Sequence, residues 1–201
     1  MSKVYTGASM SLDGYIAGPQ ESGFDQLFKW YFNGQVPIPT ANPEMTFQLT
    51  PQSHEWFTGY LKETGSLVVG RKLFSLMNGW GGQHPLAVPT VVLSHSVPDG
   101  WERDGEHFTF VTEGGIAAAV DKARELARGK NVGLNGGTIA SQALEAGLLD
   151  ELWVDLVPVL LGDGVPFISG LKNVPVVLEG PIASAQGIDV THLRFRVVRS
   201  S

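Results

Sequence analysis

Apolar positions along the chain switch between a spacing of two residues and one of three to four, which separates strands from helices. Residues 3–10 (Lys-Val-Tyr-Thr-Gly-Ala-Ser-Met) predict a buried first strand, and Ser11-Leu12-Asp13-Gly14 a turn after it. Residues 17–51 are rich in Gly, Pro and Asn and predict a long excursion. In a compact domain such a segment is usually functional or an interface element. Within it, Phe24, Leu27, Phe28 and Tyr31 share one face and predict a short amphipathic helix. Thr50-Pro51 forms an N-cap and first-turn pair for a helix over about 52–64, with Trp56, Phe57, Tyr60 and Leu61 on one side.

Leu67-Val68-Val69 predicts a short buried strand, residues 71–77 a helix, and residues 89–94 and 107–111 two more strands. Residues 115–128 predict a helix with Ile116, Ala119, Val120, Ala123 and Ala127 on one face. A strand over 131–135 is broken by Gly136-Gly137, and a helix over 138–148 follows. Leu152, Val154 and Leu156 alternate with Trp153 and Asp155 in a further strand. Leu193, Phe195 and Val197 alternate with His192, Arg194 and Arg196, which predicts a strand with one buried and one wet face. Strand and helix alternate for most of the chain, and strands alone close it. That order predicts an α/β fold in one domain over 1–201. Its sheet is mixed but mostly parallel, with helices on both faces and antiparallel strands from the C-terminal segment.

Composition narrows the function classes. With 43% hydrophobic and 17% charged residues among 201, the chain is an ordinary globular sequence. The absence of cysteine excludes a disulfide framework, a thiolate zinc site and a cysteine nucleophile. The five histidines have no metal-ligand spacing, so no metal is assigned. Net charge is −6 and no Lys/Arg cluster marks a basic face, which argues against nucleic acid as a partner. No signal-peptide pattern opens the chain, and no apolar run reaches the ~18 residues of a membrane span. A cytoplasmic location away from membranes is expected.

Three strand ends carry phosphate-friendly chemistry. In Asn135-Gly136-Gly137-Thr138-Ile139 a strand meets a helix through two glycines. Glycine lets the backbone approach a ligand, and the free N–H groups at a helix start favour a phosphate. A plain tight turn is the other reading. The stretch is neither a GxGxxG fingerprint nor a P-loop. Val69-Gly70-Arg71-Lys72 repeats the strand–glycine–helix pattern with two cations, which fit a phosphate or a solvated basic pair. Leu93-Ser94-His95 ends a strand where open α/β sheets bind ligands, although a lone loop histidine is often merely exposed.

These motifs occur in order with Ser11-Leu12-Asp13-Gly14-Tyr15-Ile16-Ala17-Gly18, Leu149-Asp150-Glu151-Leu152 and Val157-Pro158-Val159-Leu160-Leu161-Gly162-Asp163-Gly164. Together they resemble the dihydrofolate reductase superfamily over nearly the whole chain. They are most similar to the branch that holds the C-terminal reductase domain of the riboflavin-biosynthesis deaminase-reductase. The resemblance implies a dihydrofolate-reductase-like three-layer fold, an NADPH cofactor rather than NADH, and a homodimer. It implies that Ser9, Ile16 and Ala17 line the nicotinamide, and that Gly70, Arg71 and Lys72 hold cofactor phosphates. It places Leu93, Ser94 and His95 beside the adenosine 2′-phosphate, and Gly136, Gly137, Thr138 and Ile139 on the pyrophosphate. Leu73 departs from the family, which often has Thr there. No zinc-deaminase motif is present.

The implied activity is reduction of a C=N or C=O bond in a pterin-like or pyrimidine-like heterocycle. The best-known reaction of the branch reduces 5-amino-6-(5-phosphoribosylamino)uracil, whose sugar phosphate would need cations of its own. Arg71 and Lys72 are committed to the cofactor, and the excursion offers only Lys29. A folate-reductase-type enzyme and a non-catalytic nucleotide-binding module are the alternatives. Asp13 is the first candidate for proton donor because it follows the nicotinamide-lining strand, but it also suits a side-chain-stabilised Asp-Gly turn. Glu44 and His54 are weaker candidates. Glu55 sits in a first helical turn, where a carboxylate complements the dipole. Trp30, Tyr31 and Phe32 suit either a lid over a flat ring or packing, and Trp80 either ring stacking or a loop position.

Overall fold

A computed structural model describes residues 2–101 and 107–199. The strands are β1 (Val4–Ser11), β2 (Tyr15–Ala17), β3 (Val36–Pro39), β4 (Thr46–Leu49), β5 (Thr64–Gly70), β6 (Thr90–Leu93), β7 (Phe108–Val111), β8 (Asn131–Leu134), β9 (Glu151–Val157), β10 (Val165–Pro166), β11 (Leu178–Gly187) and β12 (Val190–Val197). The α-helices are α1 (Phe24–Leu27), α2 (Pro51–Glu63), α3 (Arg71–Leu76), α4 (Gly115–Ala127) and α5 (Thr138–Glu145).

Eight strands form one sheet in the order β11-β12-β9-β1-β8-β5-β6-β7. From β9 to β7 every neighbouring pair is parallel. β12 runs antiparallel to β9, and β11 antiparallel to β12. The sheet is therefore mixed and mostly parallel, with an antiparallel C-terminal edge. Alternation along the strands divides the core. Val68, Val91 and Val132 pack with Ala119, Val120 and Ala123 of α4 and with Ile139 and Ala143 of α5. Val69 and Val92 point the other way, onto Phe74 of α3 and Phe108.

Local chemistry explains the helix ends. The Thr50 hydroxyl accepts from the Ser53 N–H at 3.3 Å, and Pro51 occupies the first turn of α2. α4 presents alanines to the sheet, which lets it approach closely; Ser66 Oγ reaches its Ala123 carbonyl at 2.7 Å.

The excursion is more ordered than its composition predicts. α1 and a 3₁₀ turn at Lys29–Tyr31 replace one amphipathic helix, and β3 and β4 form a hairpin. Its apolar residues Leu27, Trp30, Ile38, Phe47 and Leu49 pack with Phe57 of α2, so the segment carries its own core against the sheet.

The predicted wet face of the last strand is covered at His192 and Arg194 and stays exposed at Arg196. His192 is fully buried and stacks on Trp56 of α2 at 5.4 Å. The Arg194 guanidinium lies 3.5 Å from the Trp153 ring centroid and 4.9 Å from that of Trp56. His192 and Arg194 are covered because α2 lies across this part of the face, whereas Arg196 pairs with Glu179 in solvent.

Candidate functional site

A groove of about 710 Å³ opens along the carboxyl ends of the parallel strands, within the range of small-molecule sites. β5 and β8 lie side by side, yet β5 feeds α3 and β6 on one flank while β8 feeds α5 and β9 on the other. That is a topological switch point, where the two chains leave in opposite directions and open a crevice.

Ser9, Ile16, Ala17, Gly70, Arg71, Lys72, Leu93, Ser94, His95, Gly136, Gly137, Thr138 and Ile139 all line this groove. Gly137 has φ +75° and ψ −137°, a conformation open to glycine and strained for other residues. A Cβ on Gly136 would meet Ile16 Cδ1 and Phe167 Cδ2 at 3.0 Å. The Gly137 N–H is occupied by the Phe167 carbonyl at 2.8 Å. Thr138 and Ile139 line the groove at the start of α5, where the first N–H groups of a helix have no intrahelical partner.

Arg71 is held by Ser75 Oγ at 2.9 Å and reaches the Ser96 carbonyl at 3.4 Å, so its guanidinium lies towards the end of β6. Lys72 pairs with Glu21 at 2.7 Å, joining the start of α3 to the turn after β2. The Ser94 hydroxyl donates to the Ser96 carbonyl at 2.7 Å and shapes its own turn.

Asp13 does not line the groove. Its carboxylate accepts from Ser11 Oγ at 2.5 Å, from the Gly162 N–H at 2.7 Å and from the Leu161 N–H at 3.1 Å. The Ser11 hydroxyl, followed by these amides, holds its pKa below the ordinary aspartate value, so it is ionised at neutral pH. The geometry makes it a tie between the β1–β2 turn and the 161–162 loop. Glu44, His54 and Glu55 also lie away from the groove lining. The three aromatic neighbours separate. Trp30 is buried and donates from Nε1 to Ser9 Oγ at 2.9 Å, Tyr31 lines the groove, and Phe32 is exposed. Trp80 packs with Phe74, His84 and Phe108 rather than on the groove.

Three groups of residues contribute to the groove beyond those given a cofactor role from the sequence. Asn135 accepts from the Gly70 N–H at 2.9 Å and donates to the Gly136 carbonyl at 2.8 Å, clipping two glycine turns together. Thr112, Glu113, Gly114 and Gly115 bring the start of α4 to the rim. Glu113-Gly114-Gly115-Ile116 repeats the polar–Gly–Gly–helix pattern of Asn135-Gly136-Gly137-Thr138, the one signal by which it was findable. Phe24, Phe28 and Leu76 add apolar wall.

A buried Ser53–His192–Asp155 row resembles a hydrolase triad, with Nε2 2.9 Å from Ser53 Oγ and Nδ1 2.6 Å from Asp155 Oδ1. Ser53 is only 1% exposed at the start of α2, so no substrate reaches it. The row ties α2 to β12 and β9.

Fold and groove define the class first: a three-layer α/β protein with a crevice at the switch point of a mostly parallel sheet. A family model described as the RibD C-terminal domain matches residues 2–180, and the chain belongs to that family. Its fold is the dihydrofolate-reductase-like fold. A protein of Shewanella sp. PV-4 linked by name to riboflavin biosynthesis superposes with a TM-score of 0.67 at 24% identity, covering 98% of this chain and 99% of that one. Riboflavin biosynthesis reductase Rib7 of Saccharomyces cerevisiae gives 0.59 at 12% identity, with 98% and 90% covered. YwjB of Bacillus subtilis (strain 168), whose name carries no activity, is 23% identical over 140 residues, 69% of this chain and 78% of that one.

Proposed function

We propose that the chain is a reductase of the riboflavin-pathway type that uses NADPH to reduce a C=N or C=O bond of a heterocycle. The carrying observation is the convergence of Gly70, Ser94-His95 and Gly136-Gly137 on one groove, with the start of α5 and the cations Arg71 and Lys72 beside them. The residues fit the cofactor. Glycine stands at Gly136, where a Cβ would crowd Ile16 and Phe167, the start of α5 at the groove suits a pyrophosphate, and Arg71 reaches the β6 end where a 2′-phosphate would lie. Held by these residues, a dihydronicotinamide would supply the hydride for the substrate carbon, and the substrate heteroatom would need a proton from elsewhere.

The chain's own part is to orient and enclose. Ser9 is fixed by the Trp30 indole, and the Tyr31 phenol beside it is kept protonated by burial, which raises its pKa well above the ordinary value. These two hydroxyls are the polar floor of the β1 end and would hold the substrate heteroatom, with water as the proton source.

Thr138→Glu tests the cofactor half. Thr138 is exposed at the first position of α5. A carboxylate there favours the helix but repels a phosphate. Calorimetry is expected to show NADPH binding weakened about tenfold or more, with an unchanged or higher thermal midpoint. Equal NADPH affinity in the two proteins overturns the assignment, and equal affinity for NADH and NADPH overturns the 2′-phosphate part.

A further inference from the structure

The groove is chemically lopsided. Its β6–β7 end carries Ser94, His95 and the glycines before α4, and its middle carries Arg71, Lys72 and the Gly136-Gly137 turn. Its β1 end is walled by Phe24, Phe28, Tyr31 and Ile16, and Leu76 at the end of α3 lines the same groove. α1 rests on β1 and β2, which puts this aromatic wall next to Ser9 and Ala17. If the cofactor lies as proposed, the second reactant occupies this end.

Among the described residues no spare cation serves it. Lys29, the one Lys or Arg in residues 17–51, is paired with Asp189 at 3.0 Å. Lys72 faces Glu21, and Arg71 is drawn towards Ser75 and Ser96. Among the described residues the other charged or titratable groups on the groove are Glu21, Tyr31, Glu113 and His95, and His95 belongs to the β6 end. A phosphate monoester pressed against phenyl rings without a paired cation would lose its hydration uncompensated. The apolar wall, by contrast, is left unsatisfied. Phe28 is 40% exposed and Leu76 is 44% exposed, while Phe24 and Phe28 stack with rings 7° from parallel at 5.5 Å.

We propose that the second reactant is a flat, conjugated, unphosphorylated ring compound, held by its face against Phe28 and Leu76 with its reducible heteroatom at Ser9 and Tyr31. This rests on the cofactor reading above. It departs from a phosphoribosyl substrate, which would bring a dianion to a wall where the described residues offer no counter-charge.

The test uses the full chain, first titrated with NADP⁺ and then, saturated with it, with 2-naphthol and 2-naphthyl phosphate by fluorescence. The two probes share a ring and differ by the phosphate. Expected are 2-naphthol binding about tenfold or more tighter than its phosphate, a several-fold loss of that affinity in Phe28→Ala, and unchanged NADP⁺ affinity in that variant. Leu76→Ala, a change on a separate element, is expected to act in the same direction. Equal or tighter binding of 2-naphthyl phosphate overturns the proposal, as does binding of neither probe by NADP⁺-loaded protein. Failure of NADP⁺ itself to bind is a different result, which removes the cofactor reading first. Turnover gives a second readout: NADPH oxidation is expected with unphosphorylated cyclic conjugated carbonyls, and oxidation solely with 5-amino-6-(5-phosphoribosylamino)uracil would sink the idea.

Discussion

His84 shows how one residue sets a pH response. Burial lowers its pKa to about 4, because a charged imidazole there loses hydration beside Trp80. Its Nδ1 accepts from the Leu86 N–H at 3.2 Å, which also requires the neutral ring. The unfolded chain therefore binds a proton near pH 6.5 that the folded chain refuses until about pH 4. Its contribution is present above pH 6.5 and is lost as pH falls towards 4, by at most about 3 kcal/mol. Unfolding curves at pH 7 and 4.5 are expected to differ less in His84→Asn than in the parent. Identical pH slopes would remove His84 as the cause. Asp13 illustrates the limit of reading one residue from its neighbours in sequence. Its place after β1 made it a natural proton donor, yet Leu161 and Gly162 lie about 150 positions away and claim its carboxylate. Asp13→Asn is expected to lower the thermal midpoint while leaving the shape of the pH–rate profile for NADPH oxidation unchanged. Loss of one limb of that profile would restore it as an acid.

Among elements, the informative unit is the pair of turns ending β5 and β8. Each was legible as a strand–glycine–helix junction, and neither was more than a weak sign alone. Their adjacency is decided by β8 inserting between β1 and β5, which no local pattern encodes. Asn135 is the physical link, since its amide satisfies Gly70 on one side and Gly136 on the other. Asn135→Leu strands the Gly70 N–H without its acceptor, at a cost of about 1–3 kcal/mol. Chemical denaturation is expected to show that loss, and calorimetry a drop in NADPH affinity exceeding that of a surface variant of equal stability. An unchanged affinity would mean that the turns hold their places without the clip. The elements least visible in the sequence were β2 and β10, of three and two residues. They are too short to carry a period, and tertiary hydrogen bonds define them.

For the whole molecule, the two edges of the sheet differ. β7 is short, whereas β11 runs ten residues and is mostly exposed. Val174, Val177, Leu178, Ile182 and Val198 are exposed near that edge, with Val198 bonded to Val177 at 3.0 Å. A long apolar edge invites a second copy. We expect sedimentation at micromolar concentration to give a dimer and Ile182→Lys to shift it towards monomer; a monomeric parent would end this expectation. Among the described residues no helix is long and apolar enough to cross a membrane. The sequence by itself determined the alternation of the main strands and helices outside the 17–51 excursion, the parallel character of most of the sheet and the glycine-marked strand ends. These follow from periodicity and backbone freedom, which act over a few residues. Only the tertiary structure decided that those ends share one groove, that α2 covers His192 and Arg194, that Asp13 is a tie, and that the β1 end is aromatic and, among the described residues, without a spare cation. Each of these depends on partners brought together by chain reversal, and the energy of a buried charge or hydrogen bond is set by such partners, not by sequence neighbours.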